Sequence, residues 1–463
     1  MKNKKTAIIV TLIVIVFVSL IGIIIYAKTD LLKTDKAIFY KYLGKIQLVE
    51  PEVYQRYQKA YLNIEGSNYS SIGKISCSNS SNNTNISNIR KLFDIDYNVL
   101  KNLKTKQYYA DYTIISNKND CITLRYLKDS NIYAVKLDNI LTKYVALENK
   151  NIKDFFKRIG VEDVSKIPDS IPEVTTEELF SVEKELREDI NKTYGKIINE
   201  KIKSDNFTKT INPDKTIKIE LSLSEKEVSD IVRGILEALK NDKDTLNLII
   251  NKATLLNYEL NIDSLKTSIQ EEIDKITNTR YSEEKDYIKI AIIENGKKTL
   301  RLEGQLPYKK EEKSVDKILY TIDLSESNKL ILYINNQKET NIKVDITFGY
   351  EENNISTNID MFDLNKNNNE IIKIQYQMSG YETNNIKQNA LITIITDNNN
   401  KTQIEINDEK NLKENIQIDR ITNNNSEILN NKSEDELSNL IYAIFSKVQY
   451  LYGEQTSYFN TLS

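Results

Sequence analysis

Two stretches of this chain, 106–148 and 287–421, alternate apolar and polar side chains with a period of two, and few other patterns restrict a fold so strongly. In the first, Tyr108, Ala110, Tyr112 and Ile114 share one side of a strand. Ile122, Leu124 and Tyr126 continue the pattern, followed by Tyr133, Val135 and Leu137. Asn, Asp and Ser break the runs, which describes an antiparallel meander. In the second, "YIKIAIIENGKKTLRLEG" turns at Asn295-Gly296, a dipeptide suited to a two-residue hairpin loop because both positions take positive φ. Ile342, Val344, Ile346 and Phe348 alternate in "NIKVDITFGY", and "NEIIKIQYQ", "NALITIITDNNNKTQIEIND" and "NIQIDRIT" extend the series.

Helical periodicity occupies the ground between these blocks. Thr175 with Glu178 forms a capping-box pattern ahead of a stripe of Leu179, Val182, Leu186, Ile190 and Ile197. Ser224 with Glu227 repeats it ahead of Val228, Ile231, Val232, Ile235, Leu236 and Leu239. Leu265, Ile269, Ile273 and Ile276 mark a later helix. Shorter helices are expected in "TDKAIFYKYLGK" ending at Gly44, from Pro51 onward, and in "NIKDFFKRIG". "SNSSNNTNISN" reads as a polar loop, and the stretch holding Pro168 and Pro172 as a linker. A last helix runs from Ser433/Glu436 to Gly453, and its Leu437, Leu440, Ile441, Ile444, Phe445 and Val448 call for a docking surface, most simply the preceding sheet. Strands and helices in blocks argue an α+β fold: an N-terminal transmembrane helix, then curved antiparallel β-meanders packed with amphipathic helices.

The transmembrane expectation rests on one uncharged run of 21 residues, Ala7 to Ala27. At about 1.5 Å per residue that helix measures roughly 31 Å, close to a bilayer core of about 30 Å. Secretory leaders carry shorter apolar cores of about 7–15 residues, so the run fits an anchor better than a cleaved signal, while Ala27 offers a position for cleavage. Lys2, Lys4 and Lys5 precede it, and the far side is mixed. The positive-inside rule then puts the N-terminus in the cytoplasm. The expected location is the cell membrane, single-pass, with the C-terminal bulk extracytoplasmic. The implied organisation is a cytoplasmic stub 1–6, an anchor 7–27, an α+β domain 31–170 with the first meander, a mainly helical segment 175–278, and a second meander 285–463 ending in helix 433–453.

Composition removes many chemistries. The chain has no histidine, which excludes Ser-His-Asp and Cys-His catalysis and nearly all catalytic zinc sites. Of 12 glycines the closest pair, Gly66 and Gly73, lie seven apart, so neither a P-loop nor a dinucleotide fingerprint exists. With 64 basic and 67 acidic residues intermixed, no basic stripe is available for nucleic acid. Ser181-Val-Glu-Lys184, Ser204-Asp-Asn206 and Lys266-Thr-Ser268 follow the order of the serine/lysine motifs of penicillin-recognising enzymes. Ser181 sits in a charged amphipathic helix, however, and the third motif lacks its glycine. "DLNKNNNE" places Asp363, Asn365 and Asn367 like calcium-loop ligands, but Asn368 and Ile374 stand where Gly and Glu are needed, so it reads as a hairpin turn. No cofactor and no metal site is implied.

Two residues are singled out covalently. Cys77 and Cys121 both lie beyond the apolar run; a disulfide between them would contribute about 4 kcal/mol through the unfolded state. Two separate buried thiols are the alternative. The tyrosines of "QYYADY" are a stacking platform for a glycan or lipid on one reading, and residues packed under a helix on the other.

The stretch "YYADYTIISNKNDCITLRYLKDSNIYAVKLDNILTKYVALENKNIKDFFKRIG", with "AIFYKYLGK" upstream, resembles uncharacterised, signal-anchored extracytoplasmic proteins of low-GC Gram-positive bacteria. The matching parts are the Tyr133-to-Asp138 strand, the Lys143-to-Asn149 segment and the helix ending at Gly160, over a span of 35–170 with a fainter echo to 277. The likeness brings no catalytic residues. The architecture is also similar to lipoprotein-carrier-like half-barrels, an analogy of architecture alone. The expectation is a membrane-anchored, non-catalytic binding or scaffold protein of the cell envelope, holding a hydrophobic ligand (a lipid) or an envelope protein in a curved sheet. A purely structural interaction protein and a carboxylate-dependent glycan enzyme are the alternatives. The sequence specifies no oligomeric state.

Overall fold

A computed structural model describes residues 34–44, 46, 51–81, 88–116, 119–164, 167, 169–171, 194–255, 260–295, 298–311, 314–326, 328–336, 341–366, 369–396 and 400–452. Helices α1 (Asp35–Leu43) and α2 (Pro51–Glu65) precede β1 (Tyr69–Ser81), β2 (Asn88–Asn102), β3 (Gln107–Ser116), β4 (Asn119–Asp129), β5 (Ile132–Leu137) and β6 (Tyr144–Glu148). Then come α3 (Ile152–Arg158), α4 (194–201), β7 (Phe207–Ile211), β8 (Ile217–Leu223), α5 (Glu225–Asn241), α6 (Lys243–Leu255) and α7 (Ile262–Thr277). The remainder is β9 (Ile288–Glu294), β10 (Thr299–Glu311), β11 (Ser314–Asp323), β12 (Lys329–Asn335), β13 (Asn341–Glu351), β14 (Asn354–Asp363), β15 (Asn369–Ser379), β16 (Asn385–Ile395), β17 (Lys401–Leu412), β18 (Ser426–Ile428) and α8 (Glu434–Tyr452).

Three expectations need correction. The described strands belong to one large, mostly antiparallel sheet of eighteen, not to two successive meanders. The reason is β1, which pairs along its length with β2 on one side and with β17 on the other, tying the N-terminal block to the C-terminal one. Secondly, no described helix is long and apolar enough to cross a membrane. α8, the longest at 19 residues, carries Glu434, Asp435 and Glu436 in its first turn. The stretch 7–27 lies outside the described residues, so the single-pass location is not supported. Thirdly, "NIQIDRIT" is not a strand. Residues 413–425 run irregularly past the ends of β2–β4, where the Asn102 side-chain amide donates to the Ile416 carbonyl and the Asp129 carboxylate accepts from the Ile421 N–H.

The chain divides into two compact units, each discontinuous in sequence. The first takes the described residues within 1–51, 172–347 and 359–370, the second those within 52–171, 348–358 and 371–463. The expected segment 175–278 falls in the first unit, the expected domain 31–170 is divided between the two after Pro51, and 285–463 is shared between them.

In the first unit, β7 to β12 pair antiparallel in sequence order. Ile219 faces Ile292 and Leu221 faces Ile290 across β8 and β9, so four side chains project together onto the helices. They are buried against Phe39 and Tyr40 of α1, Ile198 of α4, Ile235 and Leu236 of α5, and Ile269 and Ile273 of α7. The Ser224/Glu227 box is reciprocal: the Glu227 N–H donates to Ser224 Oγ at 3.1 Å and the Ser224 N–H to Glu227 Oε2 at 2.9 Å. Such a cap contributes about 1 kcal/mol. Lys36 Nζ donates to the carbonyls of Asn199 and Ile202, satisfying orphan groups at the end of α4.

In the second unit, β16, β17, β1, β2, β3, β4, β5 and β6 follow one another antiparallel, and β18 adds parallel to β6. α2 lays Ala60 and Ile64 against Met378, Ile386 and Leu412. On the other face, Leu127, Ala134 and Ala146 are buried beneath Ile418, Ile421 and Ile428. Of the α8 face expected to dock, Leu437 is buried and Leu440 and Ile444 are half-buried, and Lys447 Nζ donates to the Ile140 carbonyl at 3.0 Å, but Phe445 and the neighbouring Tyr442 are 69% and 75% exposed among the described residues.

Two glycines carry the tightest cross-strand packing. A Cβ on Gly73 would run into the Tyr97 ring and stand 2.7 Å from the Asn407 carbonyl oxygen; one on Gly304 would run into Tyr320. Each tyrosine ring fills the space its glycine leaves. Gly73→Ala is therefore expected to destabilise by about 1–3 kcal/mol, read from the urea midpoint at unchanged slope.

Asp94 of β2 is buried and pairs with Lys74 at 2.8 Å and with Lys91. Burial pushes its carboxyl up, but hydrogen bonds from Lys74, Lys91 and Ser76 outweigh that and hold it at about 2. The group's contribution to stability is full above its unfolded value near 4 and disappears as pH falls through about 2, a loss of about 2 kcal/mol. Denaturation series at pH 7 and pH 2 should show it, and Asp94→Asn should remove that part of the acid dependence.

Candidate binding face

Strand pairing in the second unit places three rows of side chains on one face of β2–β5. Tyr97, Tyr112, Leu124 and Leu137 form the first row, Val99, Ala110, Tyr126 and Val135 the second, and Lys101, Tyr108, Lys128 and Tyr133 the third. The sequence-expected residues of β3, β4 and β5 thus share one surface. The rings close over it: Tyr97 and Tyr112 lie 6.1 Å apart, Tyr108 and Tyr126 5.9 Å. Beneath them Val99 and Ala110 are buried.

Two aliphatic side chains break this cover. Leu124 is 36% and Val135 43% exposed, although both stand among the tyrosines. On the side nearer α2 the surface does pack under a helix, as Tyr69 joins Tyr57 and Tyr376 in the α2 core. Tyr108, Tyr112, Tyr126 and Tyr133 are outside that cluster.

Electrostatics reinforce the apolar character. Burial pushes the phenols of Tyr69 and Tyr126 up to about 12 and raises those of Tyr97 and Tyr108. For Tyr97 the negative charge of Asp408 adds to the effect. Asp408 is itself buried, accepting from Tyr97 Oη at 2.9 Å and from Ser71 Oγ, and paired with Lys410. The row of lysines forms one margin: Lys101 bonds Glu65 at 2.9 Å, and Lys128 stands 5.6 Å from the centre of the Tyr133 ring. The arrangement offers a ring-covered apolar surface with cations along one edge. Burial raises the Cys77 thiol above its ordinary value.

Cys77 is free and buried in β1, and Cys121 falls in β4 with β2 and β3 between them. Three strand spacings are about 14 Å, twice the reach of a disulfide. Among the described residues no three His, Cys, Asp or Glu gather as a metal site. Asp363 accepts from the Asn365 N–H at 2.9 Å in the β14–β15 connection, as a turn residue does. Ser181 and Lys184 lie outside the described residues, Asn206 bonds Glu227, and Lys266 and Ser268 lie within α7.

Tyr97 and Asp408 escaped the sequence reading. For Tyr97 a signal existed, because Phe93, Ile95, Tyr97 and Val99 alternate with Asp94, Asp96 and Asn98. For Asp408 none did, as its burial depends on β17 meeting β1. Nor did "SNSSNNTNISN" announce that 78–81 continue β1.

No family model matches the chain, and no curated protein does. Among solved structures, a mutant porin of Rh. blastica is similar at 3% identity and a TM-score of 0.20, covering 74% of this chain and 99% of its own. The translocator domain of the autotransporter NalP from Neisseria meningitidis gives 4% identity and 0.17, covering 78% and 96%. A mutant of the transferrin binding protein TbpB from Haemophilus parasuis gives 9% and 0.12, covering 75% and 76%. Scores this low establish no common fold with any of them.

The tyrosine face is checked by alkaline titration. Exposed phenols ionise near pH 10, whereas Tyr69 and Tyr126 should ionise later, near 12. Their stabilisation is complete below pH 10 and lost as pH rises towards 12. Absorbance at alkaline pH should therefore rise in two phases, and Tyr126→Phe should diminish the second.

Proposed function

We propose that this chain is a non-catalytic binding protein that holds a hydrophobic ligand against the tyrosine face of its second unit. A large antiparallel sheet is compatible with a binding or scaffold role. The observation that carries the finer reading is the exposure of Leu124 and Val135 within a surface otherwise closed by rings. A ligand covering them would gain about 1–2 kcal/mol from each side chain, and the tyrosine rings would add area beside them. The lysine margin suits a ligand with an apolar body and an anionic end. A second reading, docking of a protein partner, is favoured by α8, whose Tyr442 and Phe445 stand in solvent.

Titration of the full chain with N-phenyl-1-naphthylamine, an uncharged apolar fluorophore, tests the first reading. Saturable fluorescence enhancement that falls about tenfold in affinity in Leu124→Lys, a loss of about 1.4 kcal/mol, is the expected outcome. No enhancement, or enhancement indifferent to Leu124→Lys and Val135→Lys, would overturn it.

A further inference from the structure

β7, at one end of the first unit's run of paired strands, is hydrogen-bonded by β8 alone among the described residues. The Asn212 N–H donates to the Thr216 carbonyl at 2.8 Å, and this bond sets the phase of the ladder. Bonded pairs in an antiparallel ladder recur at every second residue. Thr210 and Thr208 therefore turn their amides to Lys218 and Glu220, while Phe207, Lys209 and Ile211 turn theirs away from the sheet. The Phe207 N–H is taken by the Ser204 carbonyl. What is left is an outward row: the Phe207 carbonyl, and both the N–H and the C=O of Lys209 and of Ile211. Alternate residues set these groups about 7 Å apart, which is the repeat of another strand's own amides.

We infer that β7 takes up an extended, acid-bearing segment of another protein as an added antiparallel strand, independently of any ligand on the tyrosine face. A helix spends its amides internally and has none to meet this row, so the row itself selects an extended chain. Side chains then decide what that chain carries. The residue that exchanges both bonds with Lys209 projects on the same side of the sheet as the Lys209 ammonium. Lys209 is exposed and has no carboxylate partner among the described residues. The acids near it are engaged elsewhere: Asp205 with Lys285 at 3.5 Å, Asp214 with Thr216 at 2.6 Å, and Glu220, on the other side of the sheet, with Lys218 at 3.2 Å. An Asp or Glu opposite Lys209 supplies the missing charge. Two positions along, the added strand meets Ile211, which is 70% exposed and favours an apolar residue. At the other end Phe207 is buried, its ring packed with Phe39 and Tyr40 of α1 at 5.2 and 6.0 Å.

A second copy of the chain fits this edge poorly. In the register that overlaps two β7 strands completely, the two Lys209 side chains stand opposite each other, and like charges so placed destabilise the pair.

Fluorescence anisotropy with the full-length protein and a labelled nonapeptide, Ser-Ser-Ile-Thr-Glu-Thr-Ile-Ser-Ser, tests the assignment. Saturable binding is expected, about tenfold weaker or worse when Lys replaces the central Glu. N-methylation of the central Glu amide, which donates to the Lys209 carbonyl, should abolish binding, whereas N-methylation of an adjacent Thr amide, which points away, should leave it intact. Lys209→Glu should invert the preference between the two peptides. Ile211→Pro removes an outward N–H without touching the ladder to β8, and should weaken binding by a similar factor at unchanged melting temperature. Leu124→Lys should bind the peptide as the native protein does, which separates this edge from the tyrosine face. No binding, binding indifferent to the place of the N-methyl group or to Lys209→Glu, or a dimer of the chain lost in Ile211→Pro in place of peptide binding would overturn it.

Discussion

The second unit depends on a single strand being hydrogen-bonded on both sides. β1 pairs with β17 from Tyr69–Leu412 to Ser80–Lys401 and with β2 from Tyr69–Lys101 to Ser81–Asn88. Residues more than three hundred positions apart are thereby made neighbours, and everything on β2–β5 takes its register from that seam. The seam is narrow at Gly73, where the Tyr97 ring lies across the missing side chain and hands its hydroxyl to Asp408. A buried carboxylate is costly without partners, and Ser71, Tyr97 and Lys410 supply them from three strands at once. Removing one would leave charge stranded in the sheet, so the network favours this register over a slipped one.

Local structure was largely legible in the sequence because its signals are short-range. The boundaries at Gly44, Pro51 and Ser224 follow from capping chemistry within a few residues. The stripe Val228, Ile231, Ile235, Leu236 and Leu239 faces the core as its spacing requires. Alternation likewise put Tyr108, Tyr112, Leu124, Tyr126, Tyr133 and Val135 on one surface. What the pattern lacked was partner choice. Nothing in the alternation of β1 says that its other neighbour is β17, since pairing is decided by side-chain complementarity across the whole sheet.

Composition misled where it stood in for context. "NIQIDRIT" has strand-like alternation, yet Asn102, Gln107 and Asp129 at the ends of β2, β3 and β4 satisfy its backbone, so it crosses the sheet instead of joining it. The two cysteines left a bridge and separate thiols equally open; Cys77 is free and buried in β1, and Cys121 lies in β4. α8 has the apolar spacing of a docked helix, yet among its described residues Leu437 alone is fully buried while Ile441 and Phe445 stay exposed.

The period of two gives this sheet two chemistries from one set of strands. On β1–β3, odd and even positions alternate between a ring-covered face and a face of amides and charges, so the two faces are back to back and share a backbone. A shift of one residue between β1 and β2 would exchange them, carrying Asp94 and Asp96 into the tyrosine layer and Tyr97 into water. The bulge between Cys77 and Ser78 lies beyond the functional rows, towards the end of the pair, where such a shift does no harm. Around Gly73 the register is uninterrupted. The tyrosine over the glycine and the buried Asp94 with its two lysines act on opposite faces of the same two strands, and both resist the same slip.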